Sequence, residues 1–480
     1  MRRYLGRLIY LLLPGLLVTG CVVGPDYQRP EIDMPDAWRV EYEEAAELAN
    51  SRWWEHFEDP VLDELIVTAL RENQDVRIAS ARVVQFLGAL RTTRSQLFPQ
   101  AGYGGSASRN RVTEDAFGLG PVSDPYFTQY QAAAGVTWQI DLFGRVRRQT
   151  EAARARVYAT EQARRGVILS VVTGVAASYV SLLSLDSQLE IARATRDNYA
   201  GTLRIFQLRY DGGVVSKVDL AQVQSEYERA LAQVPSLEAQ VAAQENLVSI
   251  LIGQDPGPIL RGRHIDELSR PGVPQSLPSA LLDRRPDVVQ AEQNLIAANA
   301  DIGAAKALYY PNFSITGDFG AASSDLDDFL DSSAREWNIA GNITGPIFTA
   351  GAIGGRVQST EAAREAALQT YRQTILNALR EVNNALIATE KSVEQYQALA
   401  RRVDALREFA RLSYMRFESG EASYLEVLYA NNQLFAAELT AVSAQADTFN
   451  NLIDVYKSIG GGWVDEAVSD APTPEEVVSR

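Results

Sequence analysis

The 480 residues include only two histidines and one cysteine. His56 and His264 stand far apart with no ligand-spaced neighbour, so the chain offers no zinc site. The lone Cys21 has no partner for a disulfide within the chain. No run of ~18 consecutive apolar residues occurs beyond the N-terminus, so no transmembrane helix is expected in the mature chain. Positive charge is scarce. Against 45 Lys and Arg stand 61 Asp and Glu, a net charge of −16, which speaks against nucleic acid as a partner. There is no P-loop and no Gly-x-Ser-x-Gly elbow, and Gly460-Gly461-Gly462 lacks the Lys-Ser/Thr of a phosphate cradle. The residues point to no catalytic site, no metal and no cofactor.

Proline is also absent from Gly144 to Tyr210. That stretch predicts one helix of ~100 Å, against an average of ~11–12 residues for a globular helix. Ile168, Val172, Val175, Tyr179, Leu182 and Leu189 follow the 3/4 spacing of a coiled-coil seam, broken at Asp186. Gly351–Phe417 copies this stretch. Both carry Thr-Glu-Ala-Ala-Arg near the start, at Thr150–Arg154 and Thr360–Arg364. Both end in a basic-aromatic-acidic triplet before a glycine: Arg209-Tyr210-Asp211 before Gly213, and Arg416-Phe417-Glu418 before Gly420. Returning helices are predicted over about Val215–Leu251, interrupted at Pro235, and Ala422–Ile459. The second carries a seam of Leu425, Leu428, Phe435, Leu439, Val442, Ala446, Phe449, Ile453 and Tyr456, broken at Asn432. An earlier helix should run from Val61 towards Leu97, started by Asp59-Pro60.

Before each long helix the period changes from 3.6 to two. Val136, Trp138 and Ile140 alternate with Thr137, Gln139 and Asp141. Phe313, Ile315 and Phe319 alternate with Ser314, Thr316 and Asp318, and, after an acidic loop over Ala321–Arg335, Trp337, Ile339 and Ile343 alternate with Asn338, Asn342 and Thr344. Each half therefore reads helix, hairpin, very long helix, turn, helix: one structure of two tandem repeats rather than several domains. In a bilayer, four strands with open edges leave unpaired backbone groups. Two copies would give 8 strands, too narrow for a channel, and three give 12. The alternative is a pair of soluble hairpins in a small sandwich.

At the N-terminus, Arg2, Arg3 and Arg7 precede an apolar run over Leu8–Val18, the pattern of a secretory signal peptide. It ends in Val18-Thr19-Gly20-Cys21, which resembles a bacterial lipobox, with Cys21 the lipidated first residue of the mature chain. Val22 at the next position implies, in that pattern, the outer membrane. The organisation expected is a signal peptide over 1–20, a lipidated extended segment over 21–60 and a first repeat over 61–252, with its hairpin at 101–141 and long helices at 144–251. A linker over 253–278 leads to a second repeat over 279–463, with its hairpin at 312–348 and long helices at 351–459, and an acidic, disordered tail over 464–480.

Taken together, the motifs Cys21-Val22-Val23-Gly24-Pro25-Asp26-Tyr27, Trp53-Trp54 through Asp59-Pro60, Leu277-Pro278-Ser279-Ala280-Leu281-Leu282, Arg284-Arg285-Pro286-Asp287 and Tyr456-Lys457 to Gly460-Gly461-Gly462-Trp463 stand in order on the duplicated plan. The chain so resembles the TolC-like outer membrane efflux factors, in the lipoprotein branch serving resistance-nodulation-division (RND) pumps, including NodT-type proteins. The resemblance implies an α+β membrane protein: a homotrimer whose twelve strands, four per chain, form one barrel in the outer membrane, continuous with a long periplasmic α-helical barrel. It implies a covalent diacylglycerol and N-acyl lipid on Cys21, contact with outer membrane lipid, a periplasmic adaptor and an inner-membrane RND pump as partners, and passive conduction of drugs or other small molecules. Trp138 and Trp337 become aromatics at the membrane interface. Arg209, Tyr210, Gly213, Ser216, Arg416, Phe417, Gly420 and Ser423 become helix tips that contact the adaptor, the glycines and serines serving also as helix caps. Glu426, with Asp219 its repeat equivalent, becomes a gate ring, whereas Tyr429 replaces the family's second gate acid; a carboxylate that merely suits the helix dipole is the other reading. Trp53 and Trp54 are expected to anchor the N-terminal segment to an equatorial belt, and Arg284-Arg285 to start a helix while pairing with a carboxylate across the repeat. The exit duct of a type I protein secretion system and a poreless, lipid-anchored coiled-coil spacer or adhesin remain alternatives.

Overall fold

A computed structural model describes residues 22–35, 37–39, 51–111, 126–273, 281–460 and 463–479. The expected signal peptide, the lipidated Cys21, Leu277–Ala280 and Gly461-Gly462 lie outside the described residues. The chain forms two compact units. The first comprises residues 1–31, 85–159 and 291–370, the second 32–84, 160–290 and 371–480. Each unit takes segments from both repeats, and the boundaries after residues 84, 159, 290 and 370 fall inside helices rather than at the linker.

The first unit contains one antiparallel sheet of β1 (Gln100–Arg111), β2 (Tyr126–Ile140), β3 (Asn312–Ser323) and β4 (Arg335–Thr344), in sequence order. The two hairpins come from different repeats and join through β2 and β3, with Trp138 opposite Ile315 and Val136 opposite Gly317. β1 and β4 are left as unpaired edges among the described residues. The acidic loop is shorter than expected, because β3 continues to Ser323 and β4 begins at Arg335.

The helices are α1 (Pro60–Glu72), α2 (Gln74–Ser95), α3 (Arg145–Asp211), α4 (Lys217–Leu251), α5 (Leu281–Arg284), α6 (Pro286–Lys306), α7 (Ala352–Glu418), α8 (Tyr424–Ile459), α9 (Trp463–Asp470) and α10 (Pro474–Ser479). Both long helices, α3 and α7, have 67 residues. Each follows a glycine in the left-handed region, Gly144 at φ 78° and Gly351 at φ 86°. These glycines set the repeat register; the shared pentapeptide sits about one turn later in α7 than in α3. One stretch of α3 is long and apolar enough to cross a membrane, but its seam residues Ile168, Val172, Val175, Tyr179 and Leu182 are fully buried in the core of the second unit.

Both interruptions of the seams are polar contacts. Asp186 accepts from Arg261 Nε at 2.7 Å, and Asn432 accepts from Tyr199 Oη at 2.8 Å. The second seam starts at Leu428, since Leu425 is 58 % exposed.

Three expectations fail, each through a long-range contact. The helix expected from Val61 to Leu97 is two helices. Asn73 turns to ψ 130° between them, accepts from Asp75 N and Val76 N, and donates through Nδ2 to Leu251 O at 2.8 Å. α4 runs unbroken through Pro235, with Val234 and Leu237 buried on either side of it. The packed face outweighs the one hydrogen bond that proline removes. The tail is not disordered. α9 and α10 follow Trp463, and Trp463, Val464, Ala467 and Ala471 are buried in the core.

Candidate functional site

The strand register sorts side chains by face, because residues paired across an antiparallel ladder share a side. One face carries Phe313–Ile343, Trp138–Ile315, Val136–Gly317–Ile339 and Tyr103–Ala134–Phe319–Trp337. The other carries Gln100–Thr137–Thr316, Gly102–Gly135–Asp318–Asn338 and Ser106–Gln131. The apolar face is open: Tyr103 is 95 %, Trp337 73 % and Ile343 70 % exposed. On the polar face Gln131 Nε2 donates to Glu336 Oε1 at 3.1 Å and Gln139 Nε2 to Asn312 Oδ1 at 3.0 Å. Trp138 donates through Nε1 to Leu97 O at 3.0 Å at the helix-proximal end of the sheet. Trp337 is the third residue of β4, opposite Phe319.

Next to that end, residues 22–29 lie as an extended strap within the first unit. Val23 N donates to Phe143 O at 3.2 Å. Arg148, buried at the start of α3, donates to Val23 O, to Gly24 O and to Asp26 Oδ1 at 2.8 Å. Burial opposes its charge, and the Asp26 and Glu151 carboxylates more than compensate, so the guanidinium pKa is raised. Asn299 Nδ2 donates to Pro25 O at 3.0 Å, and Tyr27 and Arg29 both reach Glu292. Gly24, at φ 105°, lies directly on Gly303. A Cβ on Gly303 would stand 2.7 Å from Val23 O and 2.8 Å from Arg148 Cγ. Gly303→Val is therefore expected to free the strap, with hydrogen exchange over residues 22–29 faster by about tenfold or more. Unchanged exchange would refute the latch. No sequence signal singled out Arg148 or Gly303, because both act across more than a hundred residues.

The turn between α3 and α4 and that between α7 and α8 end their long helices the same way. Gly213 N donates to Tyr210 O and Val214 N to Arg209 O; Gly420 N donates to Phe417 O and Glu421 N to Arg416 O. This is the Schellman closure, and it needs the positive φ of 74° at Gly213 and 79° at Gly420. The next steps differ. Ser216 and Asp219 form a reciprocal capping box, Asp219 accepting from Ser216 N at 3.1 Å. Ser423 makes no side-chain cap, and Glu426 reaches across to accept from Arg416 Nη1 at 2.7 Å and Ser413 Oγ at 3.4 Å.

The equivalent Arg209 lies over the Phe206 and Phe417 rings, each 5.9 Å from the guanidinium carbon. Those rings close around Tyr424, with centroids 4.4 and 5.0 Å away. Burial pushes the Tyr424 phenol above its usual range, so it stays protonated. Tyr210, the repeat equivalent of Phe417, is 37 % exposed, and Tyr429 is 58 % exposed.

The middle of the second unit is held by aromatics and by three polar knots. Trp53 and Trp54 are buried against Trp463, and Trp53 stacks on Tyr456 at 4.9 Å. Asp59 accepts from Tyr179 Oη and from Arg263 N, both at 3.0 Å, tying the linker to α1 and α3. Arg261 bridges Asp186 and Glu245. Arg285, just before α6, pairs with Asp287 and with Glu381 of the second repeat and donates to Ser458 O at 2.8 Å. The pairing with Glu381 spans the second repeat, from the start of α6 to α7, and both residues belong to that repeat. Among the described residues no group of three or more His, Cys, Asp or Glu is placed to hold a metal.

The family model described as outer membrane efflux protein matches residues 65–254 and 277–461. Solvent efflux pump outer membrane protein SrpC of Pseudomonas putida is 32 % identical over 457 residues, covering 93 % of this chain and 97 % of the relative. The crystal structure of CusC superimposes with a TM-score of 0.82 at 30 % identity, covering 92 % of this chain and all of that one. The open state of the Neisseria gonorrhoeae MtrE outer membrane channel superimposes with a TM-score of 0.83 at 27 % identity, over 92 % of this chain and 99 % of that one. With a duplicated helix–hairpin plan, a sheet of one apolar and one polar face, and these matches over nearly its whole length, the chain belongs to the outer membrane efflux protein family.

Proposed function

We propose that three copies of this chain form the exit duct of a tripartite RND-type efflux system. The observation that carries this reading is the sheet: four strands, apolar on one face and polar on the other, with both edges unpaired among the described residues. Such edges are untenable in a bilayer unless another strand pairs with each. Three copies close twelve strands around the polar faces, and 67-residue helices continue the wall as a tube in the periplasm. Lipidation of Cys21 adds an anchor, and the strap through Arg148 holds Val23 and Gly24 beside the helix-proximal end of the strands. Relatives named as efflux pump outer membrane proteins support this reading over a secretion duct or a poreless spacer.

Transport energy comes from an inner-membrane pump, reached through an adaptor docked at the helix turns around Gly213 and Gly420. Arg209, Tyr210, Ser216, Arg416, Phe417 and Ser423 surround that docking site. At the same turns Glu426 forms the charge ring. Asp219 contributes less, since its carboxylate is folded back on its own helix start. In planar bilayers the purified protein is expected to give discrete single-channel steps, and Glu426→Ala to enlarge them by removing the ring and freeing Arg416. Equal steps in the variant would take Glu426 out of the gate. A wild-type protein that is monomeric in mild detergent and passes no ions would end the duct reading.

A further inference from the structure

The four strands carry five charged side chains, and the register sorts them completely. Asp318 and Glu336 stand on the polar face, opposite Gly135 and Gly320. Arg109, Arg111 and Arg335 stand on the apolar face. Arg335 is opposite Ala321, which is opposite Ala132 and so in the row of Gly105; Arg109 and Arg111 follow four and six residues on. In a chain of net charge −16, every strand cation faces outward and every strand anion faces the lumen.

Their height is as selective as their face. The helices leave the sheet at the Ile140–Phe313 end, and the cations gather towards the other. Thr128, the partner of Arg109, is about twelve residues along β2 from Ile140. That is about 40 Å of strand, or about 30 Å of height at barrel tilt, against an apolar band of about 25 Å. Arg109 and Arg111 thus stand at the far rim of the band, and Arg335 lies lower, within reach of the rim along its own stem. Lipid-facing arginine is costly at mid-depth and tolerated at the interface. All three are exposed, and none pairs with a carboxylate among the described residues. Arg109 and Arg111 are held together, their guanidinium carbons 5.6 and 5.8 Å from the centre of the Tyr126 ring.

Paired, outward-facing guanidinium groups at a membrane rim, with apolar surface directly below, match an anion that carries acyl chains. We propose that Arg109 and Arg111, steadied by Tyr126 and supplemented by Arg335, bind the phosphorylated headgroup of an outer-leaflet glycolipid, whose chains lie on the Tyr103–Phe319–Trp337 surface. Guanidinium takes phosphate oxygens in pairs, which an ammonium cannot do. The inference rests on the barrel reading.

The test uses full-length protein in mild detergent and diphosphoryl lipid A as probe, with the phosphate-free form of the same lipid as control. Saturable binding, read by native mass spectrometry and by a rise in trimer melting temperature, is expected for the phosphorylated lipid only. Arg109→Gln with Arg111→Gln is expected to weaken it at least tenfold, Arg109→Lys with Arg111→Lys to weaken it less, and Glu336→Gln to leave it unchanged. Equal binding of the phosphate-free lipid, undiminished binding by the glutamine variant, or full displacement by millimolar inorganic phosphate would overturn the proposal. The lipid comparison on wild-type protein stands even if a variant does not fold. Single-channel conductance of the same samples separates the two claims. A conducting trimer that ignores the phosphates refutes the site, and a non-conducting monomer refutes the barrel.

Discussion

Trp53→Ala is expected to destabilise the second unit by about 3–5 kcal/mol. The side chain is fully buried. It stacks on Tyr456 of α8 and meets Trp54, Phe57 and Trp463 edge-on, with centroids 5.8, 6.0 and 5.9 Å away. Each edge-on pair adds about 0.5–1.5 kcal/mol beyond area burial. Truncation leaves a void that a long helix on one side and a short tail on the other cannot both close. The tail is the weaker wall, so α9 and α10 should become sensitive to proteases before the long helices unfold. Denaturant unfolding followed by far-UV circular dichroism measures the loss, and limited proteolysis over residues 464–479 locates it. A cost under about 1 kcal/mol, or a tail as resistant as in the wild type, would show that the cluster is not the keystone proposed. Trp53→Phe should recover part of the loss by refilling most of the volume.

Asp59→Asn is the second large effect, with an expected cost of about 2–4 kcal/mol although the side chain keeps its size. Asp59 is buried, and every contact it makes is as an acceptor. Oδ1 takes Val61 N at 2.9 Å and Leu62 N at 3.4 Å, and Oδ2 takes Tyr179 Oη and Arg263 N. An amide presents one oxygen and one NH₂. Turned one way, its NH₂ faces the two backbone N–H groups of α1; turned the other, it faces Arg263 N and a Tyr179 hydroxyl that must give up its donated bond. Buried donors without acceptors carry the full desolvation penalty. Tyr179 Oη also accepts from Gly262 N at 2.9 Å, so the fault spreads into the linker. Gly262 has no room for a Cβ beside the same carboxylate, and Gly262→Ala should produce the same softening from the other side. A midpoint of denaturation for Asp59→Asn equal to that of the wild type would remove the carboxylate from the list of structural determinants.

Much of this architecture is legible in adjacent residues. The long helices fall within a residue of where the proline-free stretches and the following glycines placed them, because backbone sterics at Gly213 and Gly420 are local. The strand faces are legible for the same reason: a period of two leaves no choice about which side chains share a side. The candidate residues at the helix turns divide along this line. Gly213 and Gly420 behave as their neighbours predict, whereas Asp219 and Glu426, matched by position, make different contacts. Asp219 closes a capping box with Ser216, and Glu426 is drawn across to Arg416.

The sequence by itself determined the two-repeat plan, the helix ends and the two-faced strands, since each depends on sterics and periodicity within one or two turns of chain. Only the tertiary structure decided the break at Asn73, the continuity of α4 through Pro235, the ordered tail under Trp53, the pairing of β2 with β3 and the strap beneath Arg148. Each of these is settled by a partner distant in the chain, Leu189 and Ala192 on α3 for the Pro235 stretch and residues a hundred or more positions away for the others, whose hydrogen bond or packed surface outweighs the local preference of the segment it meets.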